Sequence, residues 1–410
     1  MHRRLLLVIS SIIVISVALG ACAPAAAAPQ QIEVTRIVEG KAEVQVITAT
    51  PEPQAEPVKV GSIQVNAGGA TFPLPLYQQW IYAYQVVDPS VVINYQGIGS
   101  GGGKKSIIDG TFDFAGSDSA LKDEEYESGK DLQMYPIVAG AVVPVYNIKF
   151  NDAPAGKAGD PTPTPVKLPA LVLDRQTLVD IYNAKITMWN DKAIVALNPD
   201  MADYLPASKI TVVHRSDSSG TTEIFTKALT AFSADWTAGG ASAIQWPVDK
   251  AGNGVGGKGN PGVAAAVIST PNSIGYVELN YALSNSMSYA SLINKAGKTV
   301  VANAGSLESA MSDFSGNFSD KLTNTIVDGE GEASWPICGY TYVILHTTDM
   351  KDCAKAAKIL EYIKWTVTDE TAATGAKNLG YSVLPEAVQK MVLDKLSEVT
   401  CEGKPVLSAK

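Results

Sequence analysis

Val138-Ala139-Gly140-Ala141-Val142-Val143-Pro144-Val145-Tyr146 is an apolar run longer than one ordinary strand needs, with a glycine in it, as suits a strand passing from one domain to another. On its N-terminal side short apolar runs alternate with helical patterns: 63–65 then 77–86, 91–95 then 104–108, 112–115 then 122–127. On its C-terminal side the rhythm resumes, with a helix over 175–182, a strand over 210–214, helices over 222–232 and 262–268, and a strand over 274–277. A strand over 340–345 and helices over 354–367 and 385–396 complete it. This alternation predicts an α/β protein. About 350 residues lie beyond residue 60, more than a single core holds comfortably, so two domains are expected. The stretch 151–168, with Asp160-Pro161-Thr162-Pro163-Thr164-Pro165 at its centre, reads as an exposed loop without a binding role.

The N-terminus carries targeting information. His2-Arg3-Arg4 precede an apolar run from Leu5 to Leu19, and Leu19-Gly20-Ala21-Cys22 fits a lipoprotein processing box. Residues 1–21 are therefore read as a signal peptide and Cys22 as the lipidated new N-terminus. The apolar run is short for a membrane span. Residues 22–60, rich in Ala, Pro, Gln and Glu, cannot bury much apolar surface and are read as a disordered tether. Within it, 32–47 alternates apolar and polar residues, the pattern of a strand.

Charge restricts the partners. Residues 1–21 hold two of the 32 Lys+Arg and none of the 41 Asp+Glu, so the mature chain carries −11. That field opposes nucleic acid and anionic lipid. Three cysteines remain beyond Cys22; Cys353 with Cys401, both near expected helix ends, is one pairing, and buried thiols are the alternative. Their spacings do not suit zinc, and His214 and His346 are the only mature histidines, so no metal or cofactor is expected.

The chemistry is concentrated in loops that open helices. Asn66-Ala67-Gly68-Gly69-Ala70-Thr71-Phe72-Pro73, Gly97-Ile98-Gly99-Ser100-Gly101-Gly102-Gly103 and Arg215-Ser216-Asp217-Ser218-Ser219-Gly220-Thr221-Thr222 each place Gly, Ser or Thr at a helix start. There the first N–H groups lack intrahelical partners and the macrodipole adds positive charge, so anions are favoured. Taken alone, Thr71 would be an ordinary N-cap; the second and third loops turn the set toward a shared ligand. Arg215 supplies a planar fork of donors matched to an oxyanion, and Asp217 is placed to hold it. Phe112-Asp113-Phe114-Ala115-Gly116-Ser117-Asp118 adds a carboxylate after a strand. Asp118 beside an anion makes sense only if the ligand keeps a proton, because a carboxylate accepts from P–OH and repels fully ionised sulfate.

These motifs, together with Gly257-Lys258-Gly259-Asn260 and Ile274-Gly275-Tyr276-Val277-Glu278, resemble the phosphate-binding lipoproteins and periplasmic proteins that serve phosphate ABC transporters, over roughly residues 61–400. The resemblance implies a type 2 periplasmic-binding-protein fold, two α/β lobes joined by two crossing segments. It puts lobe I at 61–140 and 338–410, lobe II at 141–337, and the crossings near 139–143 and 335–340, with Cys338 in a hinge. Carried over by position, it implies phosphate contacts at Thr71, the Phe72 backbone, Ser100, Asp118, Arg215, Ser219, Gly220 and Thr221, with Asp217 bracing Arg215. It further implies a monomer that is not an enzyme, lipid-anchored outside the cytoplasm and docking on a membrane permease. Gly101 stands where many relatives have a second serine.

Other readings are weaker. Asp118-Ser119-Ala120 matches a short phosphatase motif, but the histidines such a metal cluster needs are missing. Gly252-Asn253-Gly254-Val255-Gly256-Gly257-Lys258 mimics a nucleotide P-loop, yet Gly259 occupies the Ser/Thr position, and a glycine-rich helix entry accounts for it. Sulfate, molybdate or arsenate would suit a similar cleft; Asp118 argues against the first two, while arsenate shares phosphate's protonation.

Overall fold

The computed structural model describes residues 31–38, 41–48, 62–152, 168–348 and 350–407. The signal segment, Cys22 and the proline-rich centre of the 151–168 loop lie outside the described residues.

Residues 1–59 and 60–410 form separate units. In the first, Gln31–Val38 and Lys41–Thr48 pair antiparallel, from Gln31↔Thr48 to Val38↔Lys41. Two paired strands thus lie inside the segment expected as a disordered tether, because the period-2 alternation in 32–47 supports a ladder in each half.

The second unit is built on one ten-stranded sheet. Its path runs Val91–Gly97, Ile63–Gly69, Phe114–Ser117, Cys338–His346, Leu132–Asn147, Ser273–Glu278, Thr211–Arg215, Gly254–Gly257. Ile63–Gly69 pairs parallel with both its neighbours, and so does Thr211–Arg215 in the other half. The two central strands are antiparallel to each other and to the strands flanking them.

Leu132–Asn147 joins the halves. Of its first ten residues, Leu132 to Ala141, all but Ile137 pair with Cys338–His346, and Val142 to Asn147 pair with Ser273–Glu278. All but the last of its residues are buried, which is why the sequence shows a continuous apolar run rather than alternation. A second segment, residues 335–337 leading into Cys338–His346, passes the same point: Val142 N donates to Ile337 O at 2.8 Å and Trp335 Nε1 to Val142 O at 3.0 Å. Trp335 is fully buried there, beside Cys338, whose thiol donates to Ile326 O.

Most elements fall where the sequence puts them, with helix starts closer to the preceding strands than hydrophobic periodicity suggests. The helices Ser100–Ile108, Gly220–Phe232 and Gly259–Ser269 begin in the glycine-rich loops themselves. Thr71 is not an N-cap: the helix Leu74–Val87 has Pro73 in that position, with no side-chain capping bond. The P-loop look-alike resolves into the edge strand Gly254–Gly257 and the entry to the next helix. A helix over Glu370–Asn378, capped by Asp369, was not legible, since its buried face, Ala372, Gly375 and Ala376, is made of small residues rather than large apolar ones. Cys353 and Cys401 form a disulfide with Cα atoms 5.5 Å apart, and Cys338 stays a buried thiol.

Candidate functional site

Each strand–loop–helix passage delivers its polar residues to the carboxyl ends of the parallel strands, where the two halves of the sheet face one another. Thr71 and Phe72 follow Ile63–Gly69, Ser100 follows Val91–Gly97, and Asp118 follows Phe114–Ser117. From the other half, Arg215 ends Thr211–Arg215, Ser219 caps the helix Gly220–Phe232, and Asn260 opens the helix after Gly254–Gly257.

The halves are shut on one another. Gly220 N donates to Ser100 Oγ at 3.1 Å, Gly101 N to Ser218 O at 3.2 Å, and Asn260 N to Thr71 Oγ1 at 3.0 Å. Tyr281 Oη donates to Thr71 O at 2.6 Å. Gly220 is required by this closeness: a side-chain carbon there would stand 2.5 Å from Asp118 Cβ. A side-chain carbon at Gly101 would run into Ser218, so a serine there needs Ser218 to move.

Polar groups here are buried and tied down. Thr71, Ser100, Asp118, Arg215, Ser219 and Thr221 are all buried, as is Phe72. Asp217 grips Arg215 with both oxygens, Nε to Oδ1 at 2.8 Å and Nη2 to Oδ2 at 2.6 Å, leaving Nη1 to reach Thr221 Oγ1 at 3.3 Å. Although burial pushes the Asp217 carboxyl up, the Arg215 bonds and charge hold it below its ordinary value. Ser219 Oγ accepts from Thr222 N at 3.1 Å, and Ser219 N donates to Ser242 O, so Ser219 offers the site its hydroxyl proton rather than its amide.

Asp118 has a different electrostatic setting. Burial pushes its carboxyl up to about 7, against the opposing effects of the Thr341 bond, the Arg215 charge and the Ser100 bond. Thr341 Oγ1 donates to Oδ1 at 2.8 Å and Ser100 Oγ to Oδ2 at 3.3 Å. The group therefore titrates near neutral pH in this shut form, and its ionised state is the one that accepts from a protonated anion.

All the expected site residues of the described chain meet in this one place. Five more join them. Thr341 holds Asp118, and Asn260 bridges Thr71 and Thr221 with Nδ2 at 3.1 Å from each hydroxyl oxygen. Tyr281 holds the Thr71 carbonyl, whose peptide carries the Phe72 N–H. Glu278 Oε2 accepts from Tyr381 Oη at 2.9 Å, and Tyr381 Oη also lies 2.7 Å from Phe72 O. Burial drives the Glu278 carboxyl well above its ordinary value. Asn260 and Glu278 stand in motifs that carried the family resemblance; Thr341 and Tyr281 had no local signal. Among the described residues, no group of three or more His, Cys, Asp or Glu is placed to hold a metal ion.

A sheet in two halves joined by two crossing segments, with helix starts converging between them, defines a ligand-binding protein of the type 2 periplasmic-binding class. Residues 48–370 match the family model of a PBP superfamily domain. The phosphate-binding protein PstS of Xylella fastidiosa (strain 9a5c) is 38% identical over 346 residues, covering 84% of this chain and 87% of the relative. PstS of Methanocaldococcus jannaschii is 35% identical over 357 residues, covering 83% and 87%. The chain therefore belongs to the PBP superfamily and, within it, to the PstS phosphate-binding protein family. Its fold is shared with solved structures. A high-affinity periplasmic phosphate-binding protein (PfluDING) bound with phosphate matches with a TM-score of 0.61 and 21% identity over 81% of this chain and 93% of that one. A phosphate-binding protein from Stenotrophomonas maltophilia gives 0.59 and 20% over 84% and 97%. These relatives are named as binding proteins, and the phosphatase reading is set aside with them.

Proposed function

We propose that the protein is an extracytoplasmic, high-affinity inorganic phosphate-binding protein that delivers its ligand to an ABC import permease. Capture is non-covalent, in the cleft between a lobe of residues 61–140 with 338–410 and a lobe of residues 141–337. Phosphate is held by Thr71, the Phe72 N–H, Ser100, Arg215, Ser219, Gly220 and Thr221 as donors, the anion taking over the Gly220 N–H from Ser100 Oγ and the Ser100 proton from Asp118 Oδ2, with Asp118 accepting the proton the anion retains. The observation that carries this reading is the buried Asp118 carboxyl set among donors, directly opposite Gly220. An all-donor cleft would suit sulfate as well; a cleft with one fixed acceptor suits an anion that keeps a P–OH.

Ligand that touches both lobes binds the shut form better than the open one, and only that difference drives closure. After removal of residues 1–21, Cys22 carries the lipid that holds a monomer at the membrane. Among the described residues no helix is long and apolar enough to cross a membrane. No cofactor, metal or nucleic acid enters the cycle.

Isothermal titration of the mature chain carrying Cys22→Ala tests the reading against phosphate, arsenate, sulfate and a phosphate monoester. Tight uptake of phosphate, exclusion of sulfate and an intact ester are expected. Equal affinity for sulfate would overturn it, as would turnover of the ester.

A further inference from the structure

Three hydroxyls in the cleft share one bonding pattern. Ser100 Oγ accepts from Asp118 N at 3.2 Å and Gly220 N at 3.1 Å. Thr71 Oγ1 accepts from Asn260 N at 3.0 Å and Asn260 Nδ2 at 3.1 Å. Thr221 Oγ1 accepts from Asn260 Nδ2 at 3.1 Å and Arg215 Nη1 at 3.3 Å. A hydroxyl has two lone pairs and one proton, so an oxygen that already accepts twice has only its proton to offer. Ser100 directs its proton at Asp118 Oδ2. Thr71 and Thr221 have theirs left for whatever occupies the cleft.

Asn260 is common to both threonines. It is fully buried on the first turn of the helix Gly259–Ser269, and its Oδ1 accepts from Glu278 N at 2.9 Å. That acceptor role settles which end of the amide is Nδ2, and so which end faces the hydroxyls. We infer that Asn260 is a positioning residue that determines specificity: one amide, donating to Thr71 and Thr221, turns both hydroxyl protons toward the anion and leaves Asp118 as the acceptor.

The inference rests on the phosphate reading above. Its advantage is preorganisation, since hydroxyls already aimed at the anion need no reorientation when it binds. The charged and titratable groups packed around this cluster are Arg215, Asp217, Asp118 and Glu278, with the phenols of Tyr276 and Tyr281. Thr221 and Asn260 both follow strands of the same half-sheet, so their contact does not depend on closure.

That last point makes a thermodynamic cycle decisive. Phosphate affinity is measured by titration calorimetry on the mature Cys22→Ala chain, on Asn260→Ala, on Thr221→Val and on the double variant. Each single change is expected to weaken binding about tenfold, as for one lost hydrogen bond to a charged group. The double variant should bind within about twofold of Asn260→Ala, because that change already forfeits the aimed Thr221 proton together with that of Thr71. Losses that multiply to about a hundredfold would overturn the inference, since a residue that merely braces the cleft acts independently of that hydroxyl. Wild-type affinity in Asn260→Ala would overturn it too. If Asn260→Ala does not fold, Asn260→Ser takes its place in the same cycle. Failure of the parent chain to take up phosphate is a different result, and it would remove the functional reading itself.

Discussion

Thr341 gives its hydroxyl proton to Asp118 Oδ1 at 2.8 Å, linking the strand Cys338–His346 to the loop after Phe114–Ser117. The strand register shifts just after Thr341, between Thr341 and Tyr342, an irregularity of the kind that re-aims side chains next to sites. With Oδ1 occupied, Oδ2 is the oxygen left toward Ser100 and the cleft. In the proposed reading, selectivity is therefore concentrated on one carboxylate oxygen in a setting otherwise made of donors.

Asp118→Asn should relax the exclusion of sulfate. An amide can turn a donor toward an unprotonated oxygen, whereas the carboxylate repels it. We expect the sulfate-to-phosphate affinity ratio to rise about tenfold or more, the worth of one charge-assisted hydrogen bond. Competition calorimetry in which sulfate remains fully excluded would contradict this account of selectivity.

The ligand-free protein should open as pH rises. Asp118 is held at about 7 in the shut form, against an ordinary value of 3.8, so the shut form binds this proton more tightly than an open one that hydrates the carboxyl. Below the ordinary value both forms are protonated and closure bears no cost; the cost grows as pH rises and levels off above about 7, reaching about 4 kcal/mol. Small-angle scattering should show expansion across that window in wild type and a flat profile in Asp118→Asn. The same pH-dependent expansion in both proteins would show that another group is responsible.

Arg215→Ala should weaken phosphate binding by about 3–5 kcal/mol. The arginine is 4% exposed and is the cation that both Asp217 oxygens hold, so its removal leaves the Asp217 carboxylate and the anion without counter-charge. Calorimetry is the check, and undiminished affinity would place the ligand elsewhere.

Removing the disulfide should cost stability without touching the site. Cys353 and Cys401 are 48 residues apart in sequence, and cross-linking a loop of that size is worth about 3–4 kcal/mol in the chain-entropy view. The Cys353→Ser/Cys401→Ser variant should unfold at lower denaturant concentration and keep its phosphate affinity. A loss of affinity comparable to the loss of stability would mean that the C-terminal segment supports the cleft.

Legibility followed the range of the interactions. The crossing strand was readable because burial on both faces leaves an unbroken apolar record from Val138 to Tyr146. The anion loops were readable because glycine, serine and threonine at a helix start have a local cause. The pairing of Cys353 with Cys401 rested on both lying near expected helix ends, and buried thiols stayed open until the tertiary structure brought the two Cα atoms within 5.5 Å. Thr341 left no trace at all, because a threonine inside a strand looks like any other until its neighbour is known.

By itself the sequence determined the α/β rhythm, the acidic surface, the sets of N–H and hydroxyl donors, and the presence of one arginine and one candidate acceptor carboxylate among them, since each of these is fixed by neighbours a few residues away. Tertiary structure alone decided that Asp118 is buried against Thr341, that Tyr281 reaches the Thr71 carbonyl, and that Asn260 stands between Thr71 and Thr221. Those contacts join segments 39 to 223 positions apart, and hydroxyl direction and carboxyl protonation depend on which groups finally surround them.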